Sequence, residues 1–90
     1  MKERRDVFYS GTVQGVGFRF ATLRAAKGSS VTGFVRNEPD GRVRVVVEGN
    51  SDEIDGFLLT LEREMANFVR DVKCDRLPAT GQFKSFDIRY

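Results

Sequence analysis

The stretch Val7–Gly28, VFYSGTVQGVGFRFATLRAAKG, changes its period twice, and those two changes organise the chain. From Val7 to Val13 the residues alternate, with Val7, Tyr9, Gly11 and Val13 on one side and Phe8, Ser10 and Thr12 on the other, the pattern of a strand. Gln14-Gly15-Val16-Gly17 breaks the alternation. Phe18–Lys27 is then rich in Ala, Leu and Arg and stops at Gly28, which predicts a helix of two to three turns. A strand followed by a helix opens a crossover, so the next strand of the same sheet is expected to run parallel to the first, with a right-handed connection. The ends of both strands then share one edge.

Beyond the helix, Val31, Gly33 and Val35 alternate with Thr32, Phe34 and Arg36, and Val43, Val45 and Val47 form a second alternating run. The segment Asn37-Glu38-Pro39-Asp40-Gly41 between them makes a β-hairpin. Ser51 is read as the N-cap of a second helix, with Asp52 and Glu53 in its first turn and Ile54, Phe57, Leu58, Leu61 and Met65 as its apolar stripe. Two short strands follow, Phe68–Leu77 and Lys84–Tyr90, around a Pro78–Gly81 turn. The order β-α-β-β-α-β plus a short C-terminal strand predicts an α+β, ferredoxin-like fold, with two helices packed on one face of a mostly antiparallel sheet. Residues 1–90 are expected to form a single domain, with residues 1–6 flexible.

Composition narrows the chemistry. The chain of 90 residues is 40% hydrophobic and 31% charged, so a packed but thin core is expected. Fifteen basic against thirteen acidic residues leave a net charge of +2, too small and too interspersed to argue for nucleic acid. Arg4-Arg5 and Arg42 with Arg44 are read as solvated charges that modestly steer anions. Cys74 is the only cysteine and there is no histidine, which excludes an internal disulfide, a Cys/His zinc site and a Ser/His or Cys/His nucleophile pair. Cys74 itself is read as a small buried or half-buried side chain. No apolar run reaches the length of a signal core or a membrane span, and a reducing cytoplasm is the expected setting.

Gln14-Gly15-Val16-Gly17-Phe18-Arg19 is a glycine-spaced loop running into a helix N-terminus, where unpaired N–H groups and the positive end of the dipole suit an anion. Arg19 offers a planar fork of donors to two phosphoryl oxygens. The loop lacks the Lys and Ser/Thr of the nucleotide type and the third glycine of the dinucleotide type. Val13 stands where a thiol phosphatase would have its cysteine, so covalent catalysis through sulfur is not expected. In-line attack by water is the alternative, with Arg19 and the loop amides stabilising the equatorial oxygens. Asn37, brought to the same edge, can hold that water but is too weak a base to deprotonate it. With no histidine available, the leaving group departs unaided, which suits a carboxylate of conjugate-acid pKa near ~4 and not an alkoxide. Glu38 and Asp40 are close enough in sequence to serve as an acid, although a solvated turn is the plainer reading. Thr22, one turn beyond Arg19, is read as structural support.

Gly11-Thr12-Val13-Gln14-Gly15-Val16-Gly17-Phe18-Arg19 resembles the acylphosphatase signature, and Thr32-Gly33-Phe34-Val35-Arg36-Asn37 with Asp40-Gly41 resembles its second block. The likeness continues through Val43–Gly49 and Phe86-Asp87-Ile88-Arg89-Tyr90, nearly the whole chain from Val7. It implies a hydrolase of acyl phosphates that needs neither metal nor organic cofactor, with inorganic phosphate as product. Arg19 matches the family's phosphate-binding arginine and Asn37 its water-positioning asparagine. The chain departs from the family at Ser29-Ser30 and at Glu64-Met65-Ala66, where many members have a Gly-Pro turn, so the first helix is expected to end early and the second to run on. A monomer without nucleic-acid or membrane partners is expected. The rival readings are a non-catalytic phosphate-binding module, the N-terminal piece of a larger carbamoyl-transfer maturation protein, and an RNA-binding module of similar strand order. Ending at Tyr90 favours a free-standing enzyme over the second. The run Arg42–Glu48 lacks the aromatics that the third would need.

Overall fold

The computed structural model describes residues 2–90. Its elements are β1 (Lys2–Gly11), α1 (Phe18–Lys27), β2 (Thr32–Asn37), β3 (Val43–Asn50), α2 (Ser51–Glu64), β4 (Val69–Pro78) and β5 (Phe86–Arg89). The five strands form one sheet in the order β4-β1-β3-β2-β5, in which only β2 and β5 run parallel to each other as neighbours. This is the ferredoxin-like α+β arrangement that the alternation implied, with the C-terminal strand added at the β2 edge. Among the described residues no helix is long and apolar enough to cross a membrane.

The two-residue period of the strands sorts the side chains. Val7 and Tyr9 of β1, Val35 of β2 and Val43, Val45 and Val47 of β3 point to the helices and are fully buried. They meet Phe18, Ala21 and Ala26 of α1 and Ile54, Phe57, Leu58 and Leu61 of α2, with Met65 just beyond it, as one hydrophobic cluster. Tyr9 is buried in it and its hydroxyl donates to the Glu62 carboxylate at 2.7 Å. Burial and that carboxylate push the Tyr9 hydroxyl far above its ordinary range, so it stays a donor.

Residues 2–6, expected to be flexible, belong to β1: Lys2–Asp6 pair with Asn50–Val46 of β3, and Glu3–Asp6 also pair with β4. Met1 lies outside the described residues. Three expectations need correction. Arg5 is not a solvated charge but 4% exposed, because strand parity turns it to the helix face, where it pairs with Glu3 and Asp55, both at 2.6 Å. Ser51 is inside α2, and Asn50 takes the cap position without a side-chain bond, while the Ser51 hydroxyl donates to Glu3 at 2.7 Å. Cys74 is exposed, because β4 is an edge strand whose helix-facing side extends past the cover of α2. The helix ends are also plain: α1 stops at Lys27, and α2 stops at Glu64 without a Gly-Pro turn, the Met65 amide donating to the Leu61 carbonyl.

The face of the sheet away from the helices carries arginines laid over phenylalanines. Arg42 lies 4.2 Å from the Phe8 ring centroid and Arg89 4.2 Å from that of Phe34, with Arg44 between the two rings. Arg44 also pairs with Asp6, Arg36 with Glu38, and Arg42 with Asp40. The rings that would have to stack bases are therefore covered by the chain's own arginines, which weighs against the RNA-binding reading.

The chain travels from β4 at one edge to β5 at the other beneath the sheet, and Glu48 of β3 holds that crossing. Its carboxylate, 5% exposed, accepts from the Thr80 amide at 3.0 Å, the Thr80 hydroxyl at 2.7 Å and the Gly81 amide at 2.9 Å. Burial opposes its ionisation, but the three donors outweigh burial and hold the carboxyl below the ordinary glutamate range. Glu48→Gln should lower the unfolding free energy at pH 7 by about 1–3 kcal/mol in urea titration. Because the folded carboxyl is the more acidic, the wild-type advantage should be complete above the ordinary glutamate pKa and vanish as pH falls through the lower folded value. A gap between the two proteins that persisted unchanged into that acid range would contradict the assignment.

Candidate active site

β3 runs antiparallel to both β1 and β2, so β1 and β2 point the same way and end at one edge. The convergence is visible at Val43, which faces Tyr9 of β1 on one side and Asn37 of β2 on the other. The loop after β1 and the last residue of β2 therefore lie together, although Arg19 and Asn37 are eighteen positions apart.

The loop is held at both ends by apolar anchors. Val13 and Phe18 are buried, and the Phe18 ring packs on Tyr9 with centroids 5.1 Å apart. Between them the backbone turns twice through the left-handed region, at Gly15 (φ 78°) and Gly17 (φ 79°), conformations that side chains with a Cβ resist. Gly17 caps α1, and its carbonyl accepts from the Ala21 amide at 3.0 Å. No acidic residue sits in the first turn of α1, so the positive end of that helix is not neutralised locally. Thr22 is fully buried and its hydroxyl donates to the Phe18 carbonyl at 2.8 Å, which fixes the first turn.

Gln14 ties this loop to the hairpin turn. Its side-chain amide donates to the Glu38 carbonyl at 2.8 Å and to the Arg42 carbonyl at 3.0 Å. The turn is closed by the Glu38 amide donating to the Arg42 carbonyl at 2.8 Å. Asp40 accepts from the Arg42 amide and guanidinium, and the backbone bond first, then the side-chain bond, hold its carboxyl below the ordinary aspartate range. Asp40 is thus ionised at neutral pH and has no proton to give, and Glu38 is engaged by Arg36 at 2.9 Å.

A cavity of about 180 Å³ opens at this edge, lined by Val13, Gly15, Gly17, Phe18, Arg19, Phe20 and Asn37. Gln14 and Val16 of the loop are not in its wall: the Gln14 side chain turns to the hairpin, and Val16 packs against the core. Arg19 is half-buried and its guanidinium lies over the Tyr90 ring, 4.8 Å from the centroid. Among the described residues no carboxylate pairs with Arg19. Asn37 is half-buried beside it. Larger hollows of about 300 and 370 Å³ lie between the helices and at the far end of the sheet, and neither adjoins the glycine loop. No group of three His, Cys, Asp or Glu among the described residues is clustered to hold a metal ion.

Two residues of this site escape sequence reasoning. Phe20 reads as one more apolar position of a helix, and Tyr90 as the last residue of a strand. The only sequence signal for Phe20 was its place outside the 18, 21, 22 stripe, and for Tyr90 there was none without knowing where β5 lies.

The acylphosphatase family profile matches residues 5–88. An acylphosphatase of Arthrobacter sp. (strain FB24) is 48% identical over 81 residues, covering 89% of this chain and 74% of that protein. The crystal structure of acylphosphatase from Bacillus subtilis superposes with a TM-score of 0.87 at 27% identity and covers both chains completely. Full-length HypF in its phosphate- and nucleotide-bound form matches the whole of this chain with 12% of its own length, at a TM-score of 0.84 and 25% identity. With the family profile spanning nearly the entire sequence and the fold superposing end to end, the chain belongs to the acylphosphatase family.

Proposed function

We propose that the chain is an acylphosphatase, hydrolysing the carboxyl–phosphate bond of acyl phosphates to carboxylate and inorganic phosphate by direct attack of water. The observation that carries this reading is the small cavity where Arg19, free of any carboxylate partner among the described residues, adjoins the glycine loop and Asn37. Family membership supports the substrate class.

In this reading the loop amides that border the cavity, those of Gly15, Gly17, Phe18 and Arg19, and the Arg19 guanidinium bind the phosphoryl oxygens. They strengthen their hold as charge spreads over those oxygens in the transition state. Asn37 holds a water through its carboxamide on the side opposite the leaving oxygen. The water oxygen bonds to phosphorus while the phosphorus–acyl oxygen bond breaks. The electron pair leaves on the carboxylate, and the water proton passes to a phosphoryl oxygen. No protein acid is required because a carboxylate is a stable leaving group, in keeping with the ionised Asp40 and the engaged Glu38. The Tyr90 ring, stacked on the guanidinium, restrains Arg19 without neutralising it. The same reading takes residues 1–90 as one domain that acts as a monomer in a reducing cytoplasm on small substrates, and the single free thiol supports that setting.

In an aryl acyl phosphate assay with chelator present, the wild-type chain should turn over undiminished. Arg19→Gln should lose about 10³-fold in kcat/KM, and Asn37→Ala about 10²- to 10³-fold, mainly in kcat. Turnover abolished by chelator, or retained by Arg19→Gln, would refute the mechanism.

The Gln14 bridge makes a separate prediction. Gln14→Met removes both bonds to the hairpin turn, and should cost about 1–2 kcal/mol of stability in denaturant melts. KM should rise severalfold with a smaller change in kcat, since the loop is loosened but its groups remain. A variant with unchanged KM would show that the bridge does not hold the binding loop.

A further inference from the structure

α1 carries a large apolar side chain that its packing does not use. Phe18 is buried and Leu23 half-buried, whereas Phe20 is 56% exposed and stands in the wall of the Arg19–Asn37 cavity. An exposed helix position gains nothing in helix propensity from an aromatic residue, and alanine would serve the helix better. The cavity itself, about 180 Å³, is smaller than the roughly 300–1,000 Å³ of sites that enclose a drug-sized ligand. A phosphoryl group gripped by the loop and Arg19 therefore fills it, and the rest of the substrate must lie outward across the rim. On that rim the Phe20 ring follows directly on Arg19 in the chain, and the Tyr90 ring, 88% exposed, stacks on the same guanidinium.

We propose that Phe20 is the residue that selects the acyl group: its ring receives an apolar, above all aromatic, acyl portion at the mouth of the phosphoryl cavity. This rests on the hydrolase reading above and adds the substrate class to it. Burying an aromatic acyl group against Phe20 removes apolar surface of both from water and adds a ring–ring contact, whereas an acetyl group is too small to cover the ring. The contact is made with the part of the substrate that does not react, so it acts on binding and is read in KM.

The test compares benzoyl phosphate with acetyl phosphate for the wild type, Phe20→Ala, Phe20→Tyr and Arg19→Gln. Phe20→Ala should raise KM for benzoyl phosphate about five- to tenfold more than KM for acetyl phosphate, while inhibition by inorganic phosphate moves no further than KM for acetyl phosphate does. Phe20→Tyr, which keeps the ring, should retain wild-type values. Equal losses on both substrates, or an unaltered KM for benzoyl phosphate in Phe20→Ala, would overturn the selector. If Arg19→Gln still abolished turnover in that case, the hydrolase reading would stand without it. A wild-type chain that hydrolysed neither substrate would overturn both.

Discussion

β3 is hydrogen-bonded antiparallel to β1 on one side and to β2 on the other, and the site depends on that pair of ladders. Two antiparallel steps make β1 and β2 co-directional, so the loop that leaves one and the asparagine that ends the other meet across Val43. Burial enforces the register, because a slip of one residue would carry Val43, Val45 and Val47 from the core to the open face. The same valines that stabilise the sheet thus fix the spacing between the loop and Asn37. Gln14 then joins the loop to the hairpin turn by two side-chain bonds, which couples the two halves of the site.

Arg4, Arg5, Arg24, Arg36, Arg42 and Arg44 each hold a carboxylate, and several also lie on phenylalanine rings, whereas Arg63, Arg70, Arg76 and Arg89 hold none among the described residues. Arg19, half-buried at the positive end of α1, holds none among the described residues and rests on an aromatic face instead. A cation at that helix end is unfavourable by itself, since it opposes the dipole and gains no counter-charge from the protein. In the proposed reading, the anion of the substrate brings the missing negative charge. An exposed ring of Phe20 beside it extends the same logic from the phosphoryl end of a substrate to its apolar end.

The alternation in Val7–Val13 and the Ala-rich run of Phe18–Lys27 were legible as strand and helix because period and composition agreed, and α1 has the bounds they implied. The departures from expectation have a different origin. Residues 2–6 are charged, yet β3 pairs with all of them and β4 with Glu3–Asp6, and Glu48 and Arg44 of β3 supply counter-charges to Arg4 and Asp6. Arg5 is buried for the reason Val7 is buried, namely parity along one strand, which composition alone does not weigh. Ser51 looked like a cap because it precedes two acids, but its hydroxyl is engaged by Glu3 from a strand 48 positions earlier. These were local preferences overridden by distant partners, whereas Cys74 is exposed because its edge strand lacks cover.

By itself, then, the sequence determined the order of elements, the glycine loop before α1, and the residue types of Arg19 and Asn37, since hydrophobic period, φ freedom and donor geometry are properties of short segments. Only the tertiary structure decided that β3 lies between β1 and β2, that Glu48 clasps the crossing to β5, and that β5 delivers Tyr90 to the guanidinium of Arg19. It also decided that Phe20 faces the cavity rim instead of the core. These outcomes depend on contacts between segments far apart in the chain, whose balance is struck by packing and by pairing of buried polar groups, and no local pattern records them.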